Sequence, residues 1–428
     1  MAPLSATQGQ GVEVPPYFLC PISLQIMRDP VILATGITYD RDSIEKWVYS
    51  GAGEKGAAAA TCPVSKQPLP HDAEMTPNHT LRRLIQAWCV ANASHGVERF
   101  PTPRQPVNKA QIAQLLEDAR AVPGARLASL RKLRHIVGES ERNRRSAEAA
   151  GAPEFLISVV WDGPEACAGD EAFSSGGGGS ACEEALCVLH ALKVSPEAFS
   201  ELVGRHANLF EPLTAVLRRS NCQSRAYAIF LLRSVVEAVA PARLLSLEEE
   251  LFQELVRVIR DQVSDKATKA ALRILARLCL WGRNRTKATK AGGVPVLVEL
   301  LLDDPEQRVC EMALVILDQL CGCAEGRAEL VGHAAGLAVV SKKVLRVSPL
   351  ATERAVRVLY AVARSSAAPA LLQEMLQVGV VSKLCLLLQT DCGGKAKEKA
   401  QEVLRLHSRA WKNSPCIPPK LLASFPRH

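Results

Sequence analysis

From about residue 108 onward, apolar positions recur with the spacing of amphipathic helices, and the stretches that carry them are separated by short Gly, Asp and Pro punctuation. The pattern repeats on a longer scale. Gly293 in AGGVPVLVELL, Gly336 in AAGLAVVSKKVL and Gly379 in QVGVVSKLCLLL follow one another at 43 residues, and Leu213, Leu255 and Leu297 at 42. Each of these apolar helices leads through a charged break into a second one, as in SRAYAIFLLRSVV, KATKAALRILARLCLW, QRVCEMALVILDQL and ERAVRVLYAVAR. An earlier unit starts at EAAGAPEFLISVV, where Phe155 precedes Leu213 by 58 residues. The surplus over the period is CAGDEAFSSGGGGSAC, a Gly/Ser-rich insertion near 167–182. It lacks the Lys-Ser/Thr of a phosphate-binding loop and reads as a flexible connection.

A period in the low forties with two or three helices per unit is the signature of armadillo and HEAT repeats. Such units cannot bury an apolar face alone and must stack into a solenoid. The expected solenoid runs over 108–412, with a tail at 413–428.

Ahead of it the pattern changes. Residues 1–12 are small and polar and predict a disordered start. Residues 13–91 combine strand-like runs, PVILAT and TY, with two helical stretches. In YDRDSIEKWVYSG, Asp40 is placed to cap a helix that Gly51 ends, with Ile44, Trp47 and Val48 on one face. In PNHTLRRLIQAWCV, Asn78 is the cap and Leu81, Leu84, Ile85 and Trp88 form an apolar stripe expected in the core. The proline-bearing HGVERFPTPRQPV belongs to a linker over 92–107.

Composition sharpens the class. Of 428 residues, 48% are hydrophobic but only 4% aromatic, so the apolar content is Ala, Leu and Val, and the chain is mostly α. The net charge of +8 is spread among interspersed acids, and the densest basic stretch, ESERNRRSAEAA, has no aromatics. That argues against a nucleic-acid partner. No apolar run is long enough for an integral membrane span, and MAPLSATQGQGVEV is no secretory signal. The fourteen cysteines sit singly in apolar helical patterns, as buried thiols of a reducing compartment do. The expected location is cytoplasmic, with a nuclear fraction.

Two Cys-Pro units, Cys20-Pro21 and Cys62-Pro63, flank the first helix in the layout of a zinc-bound RING. A two-zinc RING needs paired Cys/His ligands. Residues 13–91 hold only Cys20, Cys62, Cys89, His71 and His79, with no C-x2-C pair, so neither a metal nor any other cofactor is expected. Cys321 and Cys323 form a C-x-C with no partner pair. Asp29, Asp40, Arg41, Asp42 and Glu45, with Ser65 and Asn78, are the polar candidates to hold the loops instead.

The run Phe18-x-Cys20-Pro21-Ile22-Ser23, Met27, Asp29-Pro30-Val31, Gly36-x-Thr38-Tyr39-Asp40-Arg41, Ile44 and Trp47 resembles a U-box. Cys62-Pro63, Leu69, Pro77-Asn78, Leu81-Arg82, Ile85 and Trp88 complete the pattern. The second loop, SGAGEKGAAAATC, is longer and richer in Ala than usual. With the repeats behind it, the chain resembles the plant U-box/armadillo ubiquitin ligases. The resemblance implies a small α+β, zinc-free RING-like U-box followed by an α-solenoid of armadillo repeats. It also implies a structural role for Cys20, Pro21, Asp29, Pro30, Gly36, Tyr39, Cys62 and Asn78.

The resemblance implies function as well. A U-box ligase forms no covalent intermediate, so no catalytic nucleophile is expected. It docks a ubiquitin-charged E2 conjugating enzyme, here through Ile22, Leu24, Trp47 and Pro63, with Lys66 a candidate to bridge ubiquitin. The repeats would recruit protein substrates, and the family is associated with plant immune and abiotic-stress signalling. Arg225, Arg233, Arg273 and Arg354 are groove candidates, and with few Trp or Asn they argue against basic cargo. The alternative is a non-catalytic armadillo adaptor or scaffold. Self-association stays open.

Overall fold

Proline and glycine bracket the first strands, and the burial of Thr38, Tyr39 and Asp40 alternates. Val31 of β1 (Pro30–Ile32) faces Tyr39 of β2 (Thr38–Asp40), and both side chains are buried. β1 also pairs antiparallel with β3 (Thr76–Pro77), giving a three-stranded sheet in the order β2-β1-β3. These features come from a computed structural model describing residues 13–50, 61–69, 75–95, 97, 107–161, 180–194, 198–199, 201–202, 210–219, 221–390 and 394–411. The expected disordered start, the C-terminal tail, His71, nearly all of the Gly-rich insertion and most of the linker and of the long second loop lie outside the described residues.

Helix α1 (Arg41–Ser50) follows β2 directly, and α2 (His79–Ala91) follows β3. Ile44 and Val48 of α1 and Ile85 and Cys89 of α2 close one core with Phe18, Val31 and Tyr39. Asn78 caps α2 as expected, its Oδ1 accepting from the Leu81 N–H at 3.0 Å. Two expectations change. Leu84 is 53% exposed, because the α2 stripe is broader than the face the sheet covers. Asp40 does not cap α1: its Oδ1 accepts the N–H groups of Arg28 and Asp29 at 2.8 and 2.9 Å, tying the first loop to β2 instead.

Three helices then precede the first expected repeat: α3 (Lys109–Ala121), α4 (Pro123–Glu139) and α5 (Glu141–Ala149). Asn108 starts α3 with a reciprocal capping box to Gln111. α3 and α4 pack together and α5 lies against α1, so these helices share a compact unit, Met1–Pro153, with the N-terminal module.

The second unit, Glu154–His428, is an α-solenoid. Its helices are α6 (Ala152–Trp161), α7 (Ala181–Leu192), α8 (Phe210–Leu217), α9 (Cys222–Ala238), α10 (Glu249–Arg260) and α11 (Asp265–Leu278). They continue as α12 (Gly282–Lys290), α13 (Gly293–Leu302), α14 (Gln307–Leu320), α15 (Ala324–Gly332) and α16 (Gly336–Lys343). The last long ones are α17 (Pro349–Ser365), α18 (Pro369–Gln377), α19 (Val380–Gln389) and α20 (Gly394–Leu406), and single-turn helices lie at Pro241–Leu244 and Ser408–Trp411. Ser180 caps α7, so the end of the expected insertion is already helical. One ladder of helices, α7, α9, α11, α14, α17 and α20, packs each member on the next.

The repeat is legible in the backbone. Gln262, Asp304 and Leu345, each just past the end of α10, α13 and α16, all take positive φ, between 45° and 60°. Gly293 and Gly336 start their helices under the carbonyls of Ala288 and Leu330, where a Cβ would sit 2.7 and 2.1 Å from the oxygen. Gly379 matches them in sequence spacing but not in role. It takes φ 75° just ahead of α19, as Gly292 does ahead of α13.

Neighbouring units are tied through buried polar groups. Asn284 Nδ2 donates to the carbonyls of Leu244 and Leu278 at 2.9 and 3.0 Å. After α20, Trp411 is fully buried, donating from Nε1 to the Leu372 carbonyl at 3.2 Å, and His407 contacts the Ala363 carbonyl at 2.8 Å. No single helix among the described residues is long and apolar enough to cross a membrane. α18 and α19 pass that test only as a pair bent by 60°.

Candidate functional site

Two loops of the N-terminal module share one sequence and one geometry. Cys20-Pro21-Ile22-Ser23-Leu24-Gln25 and Cys62-Pro63-Val64-Ser65-Lys66-Gln67 match at Cys, Pro, Ser and Gln. In the first, the Cys20 N–H donates to the Gln25 carbonyl and the Leu24 N–H to the Cys20 carbonyl, both at 2.8 Å. In the second, Cys62 and Lys66 repeat those bonds at 2.8 and 2.9 Å. Isolated bridges, Leu19–Ile26 and Thr61–Pro68, close the two bases. Each turn needs its fifth residue in the left-handed region, and Leu24 and Lys66 take φ 56° and 59°. That conformation costs a side-chain-bearing residue about 1–2 kcal/mol. A leucine held there, 74% exposed, meets no local need for a leucine.

The sulfurs sit where a metal knuckle would hold ligands, but each is held by hydrogen bonds. Cys20 Sγ accepts from the Asp40 N–H at 3.3 Å. Cys62 Sγ accepts from the Ser65 N–H at 3.5 Å and lies 3.1 Å from Tyr39 Oη and 3.6 Å from Thr35 Oγ1. Burial pushes the Cys62 thiol up, but bonds from Ser65, Tyr39 and Thr35 outweigh it and bring the thiol down to about 6. At Cys20 burial likewise pushes the thiol up, but bonds from Ser23, Asp40 and Ile22 outweigh it and leave it lowered. Burial and the Cys62 sulfur raise the Tyr39 phenol. The adjacent pair Tyr39-Asp40 thus fastens both loops to β2, Tyr39 through its ring and Asp40 through its backbone. Among the described residues no group of three or more His, Cys, Asp or Glu could hold a metal ion.

The charged candidates also resolve. Arg41 Nε pairs with Asp29 Oδ2 at 2.6 Å, both largely buried, and Arg82 approaches the other Asp29 oxygen at 3.9 Å. Burial holds Asp40 and Glu45 above the usual carboxylate range, Asp40 against the two N–H bonds it accepts and Glu45 against neighbouring Arg41 and Arg142.

These ties set the position of the apolar groups. Trp47 donates from Nε1 to the Thr61 carbonyl at 2.9 Å, which pins the indole of α1 to the second loop while leaving it 44% exposed. Ile22 and Pro63 are half-buried, Ile22 leaning on the module core. Lys66 is exposed. Pro30 is buried within β1, and Gly36 takes φ 78° in the turn to β2. Sequence reasoning missed Val64, which is 54% exposed at the position matching Ile22. The signal was present in the internal match between CPISLQ and CPVSKQ.

In the second unit the groove candidates separate. Arg225 is buried and pairs with Asp261 at 2.8 Å, so it is a structural tie between neighbouring repeats and not a groove cation. Arg354 pairs with Asp318 at 2.9 Å. Arg233 and Arg273 do line a concavity, formed by α7, α9 and α11.

Residues 14–94 match the family described as U-box domain, and residues 111–426 the family described as plant U-box protein ARM repeat region. The chain is similar to the E3 ubiquitin-protein ligase PUB23 of Arabidopsis thaliana, 50% identical over 97% of this chain and 98% of that one. It is also similar to the E3 ubiquitin-protein ligase PUB22 of Arabidopsis thaliana, 47% identical over 97% and 99%. Among solved structures, one from work on a phosphorylation switch in the interaction between cadherin and beta-catenin aligns with a TM-score of 0.54. At 15% identity over 77% of this chain and 58% of that one, this likeness concerns the fold alone.

Proposed function

The chain belongs to the plant U-box/armadillo-repeat ubiquitin ligases, an E3 family of the RING type, and from that premise we propose how its two parts divide the work. The module docks a ubiquitin-charged conjugating enzyme on Ile22, Leu24, Trp47 and Pro63, with Val64 completing the patch. The repeats recruit the substrate protein. Transfer from the carrier's thioester to a substrate lysine then proceeds without a covalent intermediate on this chain, so its contribution is positioning. Lys66, exposed on the second loop, is the candidate to bridge ubiquitin and its carrier.

One observation carries the docking reading: Leu24 is held exposed in a conformation unfavourable for leucine, and the likewise exposed indole of Trp47 is fixed to the second loop. Apolar anchors so preorganised are what a protein hot spot requires. The wider reading sets this activity in immune or stress signalling, in the cytoplasm with a nuclear fraction. The test is a reconstituted ubiquitination reaction comparing wild type with Ile22→Ala and Trp47→Ala. Chain formation by wild type and its loss in folded variants supports the reading. Undiminished chain formation by both variants overturns the docking site, and an inactive wild type across a panel of conjugating enzymes favours the scaffold alternative.

A further inference from the structure

The three helices α7, α9 and α11 line an open concavity of about 920 Å³ within the repeat ladder. Lys193, Arg233, Lys266, Lys269 and Arg273 line it against a single carboxylate, Glu237. Arg233 lies 3.7 Å from Glu237, and Lys269 pairs with Glu306 at 2.7 Å. Lys193, Lys266 and Arg273 are exposed and have no carboxylate partner among the described residues.

The floor between these cations is aromatic. His190 stacks on Phe230 with ring centroids 5.2 Å apart and planes 24° apart, and lies 4.8 Å from Tyr227. Partial burial, then Lys193 and Lys266, lower the His190 pKa, so the imidazole is neutral at pH 7 and its ring adds to the apolar floor. Farther along the ladder the field is quenched, since Asp318 takes up both Arg354 and Arg357. Within this concave stretch, by contrast, Lys193, Lys266 and Arg273 stay exposed.

We propose that this groove takes a short acidic segment of a partner protein that carries a bulky aromatic or apolar side chain among its carboxylates. The proposal rests on the reading that the repeats recruit substrates and specifies the chemistry they select. Carboxylates would neutralise Lys193, Lys266 and Arg273 while the apolar side chain covers the His190–Phe230 floor. A basic segment would meet like charge at three exposed cations. A nucleic acid calls for a longer cationic track than the groove offers.

The test is direct binding of a short labelled Asp/Glu-rich peptide with one central Phe to the full chain, read by fluorescence anisotropy. Saturable binding that weakens with salt is expected, and it should fall at least about tenfold in Lys266→Glu/Arg273→Glu. A Lys-rich version of the peptide should be rejected by wild type and accepted by the charge-reversed protein, which also demonstrates that the variant is folded. Equal binding of the Lys-rich peptide or of a single-stranded oligonucleotide to wild type overturns the proposal. So does binding indifferent to the double variant, or a groove filled by a second copy of the chain in sedimentation. The assay needs no ubiquitin, so the two readings fail separately. Repeats that retain a substrate but ignore the acidic peptide sink only the groove chemistry, whereas repeats that retain no substrate sink the recruitment reading.

Discussion

Tyr39 Oη lies 3.1 Å from Cys62 Sγ and accepts the Val64 N–H at 3.3 Å, so one phenol holds the sulfur and the backbone of the second loop together. Tyr39→Phe removes both contacts in a buried site and should destabilise the module by about 2 kcal/mol. Thermal unfolding followed by the fluorescence of Trp47 and Trp88 measures it. An unchanged midpoint would mean the loop is held by other means.

The lowered Cys62 thiol predicts a pH dependence of stability. Its folded value, about 6, lies below the ordinary thiol value of about 8.5. A depressed folded value favours the fold above the unfolded pKa, and the benefit is lost as pH falls from about 8.5 towards 6. Module stability should therefore rise with pH across that window, and Cys62→Ser should flatten the slope. A wild-type slope equal to that of the Ser variant would disprove the assignment.

Leu24 allows stability and docking to be separated. Leu24→Gly relieves the left-handed strain and should raise stability by about 1 kcal/mol, while chain formation falls because the exposed side chain is gone. A variant that is both less stable and inactive would make Leu24 a structural residue. Lys66→Gly should gain similar stability.

Because α5 lies against α1, a fragment ending at residue 153 should be more stable than one ending at residue 95. Both should build ubiquitin chains with a permissive conjugating enzyme and neither should modify a repeat-bound substrate. Deleting residues 167–179 should affect neither activity. Equal unfolding midpoints for the two fragments would show that α5 adds nothing to the module.

Asn284 is fully buried and donates to two carbonyls from different units. Asn284→Ala strands both acceptors and should cost the solenoid about 2 kcal/mol or more. Calorimetry of the repeat transition checks this.

How much of this could be read from the chain differs by element. The solenoid, the sheet and both module helices follow from apolar spacing and from Gly, Pro and Asn punctuation, which act locally. What escaped depends on distant partners. Arg225 reads as a groove cation until Asp261, a repeat later, is seen to bury it. Asp40 reads as a cap for its own helix, yet the N–H groups it accepts belong to the first loop. Leu84 continues a stripe that the small sheet is too narrow to cover. α3 to α5 carry few large apolar residues per turn, so their shared unit with the module has no strong local signal. Val64 was within reach, because the two loops repeat each other in sequence.

The buried Trp411 bears on a hazard inherent to stacked repeats. Every unit is shaped to receive another, so a bare terminal face would accept the first unit of a neighbouring molecule as readily as one of its own, and growth would continue into filaments. With its indole buried and fastened to the Leu372 carbonyl, Trp411 covers the apolar surface beside α18 from within the same chain, so that surface is not offered to a neighbouring molecule.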